Sequence, residues 1–371
     1  MSIDQGDMND GVHAGASHLL ARGAADDVRA DDRIRAAIDL FFVPAEAQLD
    51  ERLRGALSRL LRMIVTSIES ELRHYGGRLL VGRGEPDLAI ALSSGSLAVL
   101  DRLERSGLIK DAGLIRELLA RVEQEAIGDA LPLAGGETAE RPSLLVRLTS
   151  HRDPIVAASA SALMIAEARR HNAGDAPTAP RSDLPAELHH RLVWWTAAIL
   201  RDQLTGSAGP AQETLDRAIT EAALRSLAAH DEGERLEAAA MRLTTALAAT
   251  ADELPGLLAE SLGDRRPSLF IALLAHALGL GYETMREIVI DPVADRLWLA
   301  LRAVGLDRPM IATIGLALCE ADPRRDVEVF ADRLDAIAAI PHGDAREALA
   351  SLRLHPDLRA AVVALARAER S

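Results

Sequence analysis

The stretch from His151 to His171 spells out one helix with both ends marked, and the rest of the chain repeats its design. Asp153 can accept from the first free backbone N–H groups, and Pro154 gives up only an N–H that has no partner at the first helical position. Leu163, Ile165 and Ala166 supply bulk for a core, while Ala157 to Ala162 holds only alanine and serine and lets another helix come close. Asn172 and Gly174 bring stop chemistry. No stretch alternates apolar and polar residues as a half-buried strand does, so the expected fold class is all-α. The apolar share of 49% against only 2% aromatics agrees, because alanine and leucine suit close helix contacts better than an aromatic-rich β core.

Taken in order, residues 1–31 form a polar, Gly-rich and acidic start that is expected to be disordered or weakly ordered. Asp26-Asp27 and Asp31-Asp32 precede a helix from about Arg33, where acids complement the macrodipole, and Ile34, Ile38, Phe41 and Phe42 give it an apolar side. An N-terminal helical region, 32–143, is dominated by a long helix over Ala45 to Tyr75. Leu53, Leu57, Leu60, Ile64 and Ile68 follow each other at three- and four-residue steps, and Gly76-Gly77 is the expected stop. Leu61, Val65 and Leu72 add a second apolar flank, wider than one neighbour covers, so these three are candidates for self-association as a two-fold homodimer. Shorter helices follow over 88–92, 97–105 and 114–127, with a Gly- and Pro-rich loop at 128–143.

A helical-repeat region, 144–371, comes next, interrupted by a Pro-rich loop at 172–183. Its helix from about Leu184 carries His189, His190, Trp194 and Trp195. Helices then crowd from 214 to 369, with capping boxes expected at Thr284/Glu287 and Asp344/Glu347. Asp291-Pro292, Asp322-Pro323 and His355-Pro356 lie 31 and 33 residues apart, about one short helix pair, which reads as an irregular α-solenoid. Leu269 to Leu278 is apolar nearly all round and calls for neighbours on every side.

The chemistry-bearing motifs are thin. His151-Arg152-Asp153 copies the first letters of a kinase catalytic loop, but Ala158 stands where that loop needs asparagine. His189 and His190 point about 100° apart on a helix, so with Glu187 they make a poor metal site; an exposed polar face is the simpler reading. His276 reads as a core histidine and Cys319 as a buried, inert thiol. Val81 to Asp87 lacks the strand and the Gly-Lys ending of a phosphate loop, and Gly206 to Gly209 reads as a plain loop. Gly281 to Glu287 has the outline of a helix-turn-helix, with one arginine against two acids, the wrong balance for phosphate contacts. No catalytic, cofactor or metal residue is assigned. Because one of two adjacent helical tryptophans is expected in the core, the other, with His190, is a candidate partner-binding anchor.

A net charge of −14 repels nucleic acid and anionic membrane, a single cysteine excludes an intrachain disulfide, and Lys110 is the only lysine, a bias read as genome composition. No secretory signal or membrane-length apolar run is seen, so the expected location is the cytoplasm. Leu184 to Trp195, Leu278 to Tyr282, Leu301 to Leu306 and the segments Leu49 to Arg73 and Asp153-Pro154 together resemble the alphaproteobacterial domain of unknown function 2336 family, whose members are HEAT-like helical proteins. The resemblance implies the fold and carries over no activity. The resulting expectation is a non-enzymatic interaction scaffold or regulatory adaptor with a protein partner and no cofactor. An enzyme with a site assembled from distant helices is the alternative, and a nucleic-acid binder comes third.

Overall fold

The computed structural model describes residues 16–23, 29, 33, 51–94, 98–132, 142–171, 182–355, 357–359, 361–362 and 365. The acidic pairs at 26–27 and 31–32, the apolar side at 34–42 and most of the loop at 172–183 lie outside them. Among the described residues every element is helical and no strand occurs. No single described helix is long and apolar enough to cross a membrane.

The labelled helices are α1 (Glu51–Gly82), α2 (Pro86–Ser94), α3 (Ala98–Ser106), α4 (Ala112–Ala130), α5 (Leu144–Leu148), α6 (Pro154–His171), α7 (Ala186–Ala208), α8 (Gln212–Ala229), α9 (Leu236–Leu247), α10 (Leu254–Gly263), α11 (Pro267–Leu278), α12 (Tyr282–Ile290), α13 (Asp295–Ala303), α14 (Arg308–Ala321), α15 (Val327–Ala339) and α16 (His342–Ala348). They form two compact units. The first takes residues 1–33, 123–163 and 239–371, the second 34–122 and 164–238. This interleaving departs from the linear division at residue 143. The boundaries at 122, 163 and 238 fall inside α4, α6 and α9 and not in a Gly- or Pro-rich segment.

In the second unit α1 packs against α2, α3, α7 and α8. Leu61, Val65 and Leu72 are buried in this core together with Leu192, Leu215 and Ala222. The chain's own α7 and α8 take up the second apolar flank of α1, so these three side chains offer nothing to a second copy. The helix also runs past Gly76 and Gly77, the expected stop. A Cβ at Gly76 would lie 2.9 Å from Leu92 Cδ2, and one at Gly77 3.5 Å from Ser93 Oγ. These glycines are notches for α2. Arg73 ties the contact down: its Nε donates to Glu69 Oε1 at 2.8 Å and its Nη1 to the Leu92 carbonyl. The same physics carries α4 through Gly128, where a Cβ would meet the Pro267 ring at 3.1 Å. Likewise α7 continues to Ala208, through the stretch expected to be a loop.

In the first unit α13 is the hub, packing against α11, α12, α14, α15 and α16. Every residue from Ser268 to Ala275 of α11 is buried, as its apolar circumference demands; His276, expected in the core, is exposed. Asp153 caps α6 as expected, accepting from Ile155 N at 2.8 Å. Val156, Ala160, Leu163 and Ala166 form the buried stripe of that helix, whereas Ile165 is 53% exposed and adds no bulk to the core. Neither expected capping box forms. Thr284 and Asp344 lie inside α12 and α16, which begin after Gly281 and Pro341 without a side-chain cap. The caps are Asp307, accepting from Met310 N at 2.9 Å, and Asp326, accepting from Glu328 N at 2.8 Å.

Arginine closes helix ends throughout this unit. Arg302 donates from Nε and Nη2 to the Ile340 carbonyl at 3.1 and 2.9 Å and from Nη1 to that of Leu306. Arg346 Nε reaches the Ala303 carbonyl at 3.0 Å, and Arg353 Nε that of Leu278 at 3.2 Å. Arg325 donates to the Val289 and Asp291 carbonyls. The two Asp-Pro sites thus meet: arginines after Asp322-Pro323 satisfy the last carbonyls before Asp291-Pro292, where a cation also suits the negative end of the helix dipole.

Candidate functional site

Two short segments of the second unit, 182–190 and 230–237, lie side by side and carry the buried His189, Arg235 and Glu237. Each precedes a helix, α7 and α9, so each has free backbone N–H groups to satisfy. Ala186 N donates to Glu232 Oε1 at 2.8 Å, which ties the segments at one point. Further on, the ring of His189 stacks on that of His230, with centroids 4.2 Å apart and planes 16° from parallel.

Below these lies a buried ionic cluster. Arg170, at the end of α6, donates from Nε to Asp183 Oδ2 at 2.9 Å and from Nη2 to Glu237 Oε1 at 2.9 Å. Arg121 of α4 donates from Nε to Glu117 Oε1 at 2.7 Å and from Nη2 to the Asp183 carbonyl. Arg235 Nη2 stands 3.5 Å from Glu237 Oε2 and 3.8 Å from Glu117 Oε1. Three guanidiniums and three carboxylates therefore balance. Burial opposes the charge on Arg170, but Glu237 and Asp183 outweigh it and hold that group firmly protonated.

His189 is different. It is 3% exposed, and neither of its ring nitrogens makes a well-formed hydrogen bond. Burial first, then the neighbouring His230, push its pKa down to about 4, and the Ser226 backbone opposes them only in part. The ring is thus neutral near neutral pH. The sequence placed His189 on an exposed polar face. It lies inside because its ring fills the gap between the first turn of α7 and the end of α8. His190 does point outward, and it accepts a hydrogen bond from Trp194 Nε1 at 3.1 Å. Trp194 and Trp195 are both half-buried against the second unit's core, so neither is wholly core and both keep an accessible edge. Glu187 is exposed and takes no part in the histidine stack.

The other sequence-marked residues stay apart from this site. His151 accepts from Asp153 N at 3.1 Å within the exposed turn before α6. Cys319 is buried and its thiol is pushed up by that burial. The helix after Gly281 buries Tyr282, Met285 and its arginine, Arg286, which no recognition helix could use for phosphate contacts. Among the described residues no three His, Cys, Asp or Glu side chains come together to hold a metal.

Sequence reasoning missed the ionic cluster. Glu117 and Arg121 form an i,i+4 pair that is visible in the sequence. Nothing local joins it to Arg170, Asp183 and Glu237. The profile of a family described as "Uncharacterised protein conserved in bacteria (DUF2336)" matches residues 137–353, which include both segments and the tryptophan pair. No curated protein and no solved structure matches the chain.

Proposed function

The chain belongs to the DUF2336 family, whose description carries no activity, and from that premise and its own residues we propose that it is a non-enzymatic interaction scaffold or regulatory adaptor built on HEAT-like helical repeats. The observation that carries this reading is the surface of α7. A chain with three tryptophans places two of them at adjacent, half-buried positions, and the exposed His190 fixes one by a hydrogen bond. Rigid aromatics with one accessible edge are favoured anchors for a protein partner. The buried acids and arginines described above support the same reading, since they are paired with one another and turned inward. The acidic net charge favours a protein partner over nucleic acid or an anionic membrane, and a cytoplasmic site of action fits this.

The test is a quantitative pull-down from the native lysate with the tagged full chain. Trp194→Ala and His190→Ala should each lower recovery of a specific partner at least about tenfold, the effect of one interface anchor, while the exposed Ile90→Ser should not. Equal recovery with all three variants would remove α7 as the binding face. Light scattering on the same samples reports whether the partner is a second copy.

A further inference from the structure

We propose that the His189–His230 stack is a proton-operated latch, which holds segments 182–190 and 230–237 together while the enclosed His189 ring is neutral and releases them on acidification. The geometry carries this. Two imidazoles stack face to face at 4.2 Å, one of them almost wholly enclosed and without a well-formed hydrogen bond at either nitrogen. A positive charge on the enclosed ring would have no counter-ion and would stand at the N-terminal turn of α7, the positive end of that helix's dipole.

The neighbours offer only the Ser226 backbone as partial relief. The titratable groups that act on His189 are His230, from the end of α8, and His190, on its own helix, and both disfavour its charge. Glu71 of α1 accepts from Ser226 Oγ at 2.9 Å, and Glu232 is occupied by Ala186 N. Once released, the ring regains water and its ordinary proton affinity.

The direction of the response follows. His189 in the closed latch takes up its proton near pH 4, against 6.5 for the ordinary value. Opening therefore binds a proton between those limits. The latch is fully held above the ordinary value, weakens as pH falls through the window by up to about tenfold per pH unit in the closed-to-open ratio, and changes no further below the lower limit. Because His190 and Trp194 sit one residue and one turn beyond the stack, release would also loosen the anchor of the proposed partner face. That consequence rests on the scaffold reading; the latch itself does not.

Two measurements on the full chain test it. The first follows the histidine ring protons by NMR: the His189 ring should take up its proton below the ordinary histidine range, together with the shift changes of its opening, and titration in the ordinary range would overturn the latch. The second compares hydrogen-exchange protection factors, corrected for intrinsic rates, between pH 7 and 4.5. Amides of 186–193 and 230–236 should lose at least about tenfold more protection than those of α11. His189→Phe, which keeps a stacked ring without the proton, should abolish that excess, and His189→Gln serves the same end should the phenylalanine variant not fold. An excess unchanged in the variants would overturn the proposal. Partner recovery at neutral pH is a separate readout, so failure of the scaffold reading and failure of the latch are distinguishable.

Discussion

Both units pair arginine with buried carboxylates, but the first also uses arginine widely to close helix ends. In the first unit the guanidiniums of Arg302, Arg346 and Arg353 donate to backbone carbonyls at helix ends, with partners 4 to 75 residues away along a single run of chain, while Arg325 and Arg333 also face the buried Asp322 and Asp295. In the second unit Arg121, Arg170 and Arg235 face carboxylates, and the cluster joins three stretches that begin more than 50 residues apart. A carbonyl that loses its arginine is still a neutral dipole. A carboxylate that loses its arginine is a buried charge. The carbonyl-bound arginines of the first unit are thus replaceable contacts, added to its ion pairs at Asp295 and Asp322, whereas the second unit's cluster is one interdependent set.

The largest effect should come from breaking that set. Glu237→Ala leaves Arg170 and Arg235 without their shared carboxylate and should cost about 3–5 kcal/mol, read by urea denaturation, with exchange rising first in the starts of α7 and α9. Next comes Gly315→Ala in the first unit. Its Cβ would stand 2.6 Å from Phe330 Cε2, and that ring is already pressed against Trp298 with centroids 4.6 Å apart. The added methyl should cost about 3 kcal/mol through overpacking, with exchange increased in α14 and α15. Arg302→Met sharpens the contrast, because it removes three donor contacts to two carbonyls yet should cost only about 2 kcal/mol; a cost equal to that of Glu237→Ala would erase the distinction between carbonyl-bound and carboxylate-bound arginine. The smallest effect belongs to Asp326→Ala, which strips the cap of α15 and should cost about 1 kcal/mol in thermal or chemical unfolding.

Much of the fold was legible, and for local reasons. The Asp-Pro start holds at α6, since a cap needs only the next three residues, whereas Asp291 and Asp322 close helices and the caps of α14 and α15 are Asp307 and Asp326. Glycine misled where it served a neighbour. Gly76 and Gly128 carry no turn; each lies where another helix or ring comes too near for a side chain, as Gly315 does too. The arginine-rich composition, read as a genomic bias, has a structural use in closing helix ends. Of the candidate site, His190 and Trp194 were visible as a helical i,i+4 pair, whereas the burial of His189 depended on His230, 41 positions away in the chain.

The sequence by itself determined the all-helical class, the positions of most helices and the apolar face that each must hide, because propensity, capping and a 3.6-residue period act over a few residues. Tertiary structure alone decided which faces meet. It covered Leu61, Val65 and Leu72 with the chain's own α7 and α8, interleaved the two units across α4, α6 and α9, and drew Glu117, Arg170, Asp183 and Glu237 into one ionic cluster. The physical reason is that burial is indifferent to sequence distance. An apolar flank accepts any complementary surface and a buried charge any counter-ion, so the choice among partners is made only by the packing of the whole chain.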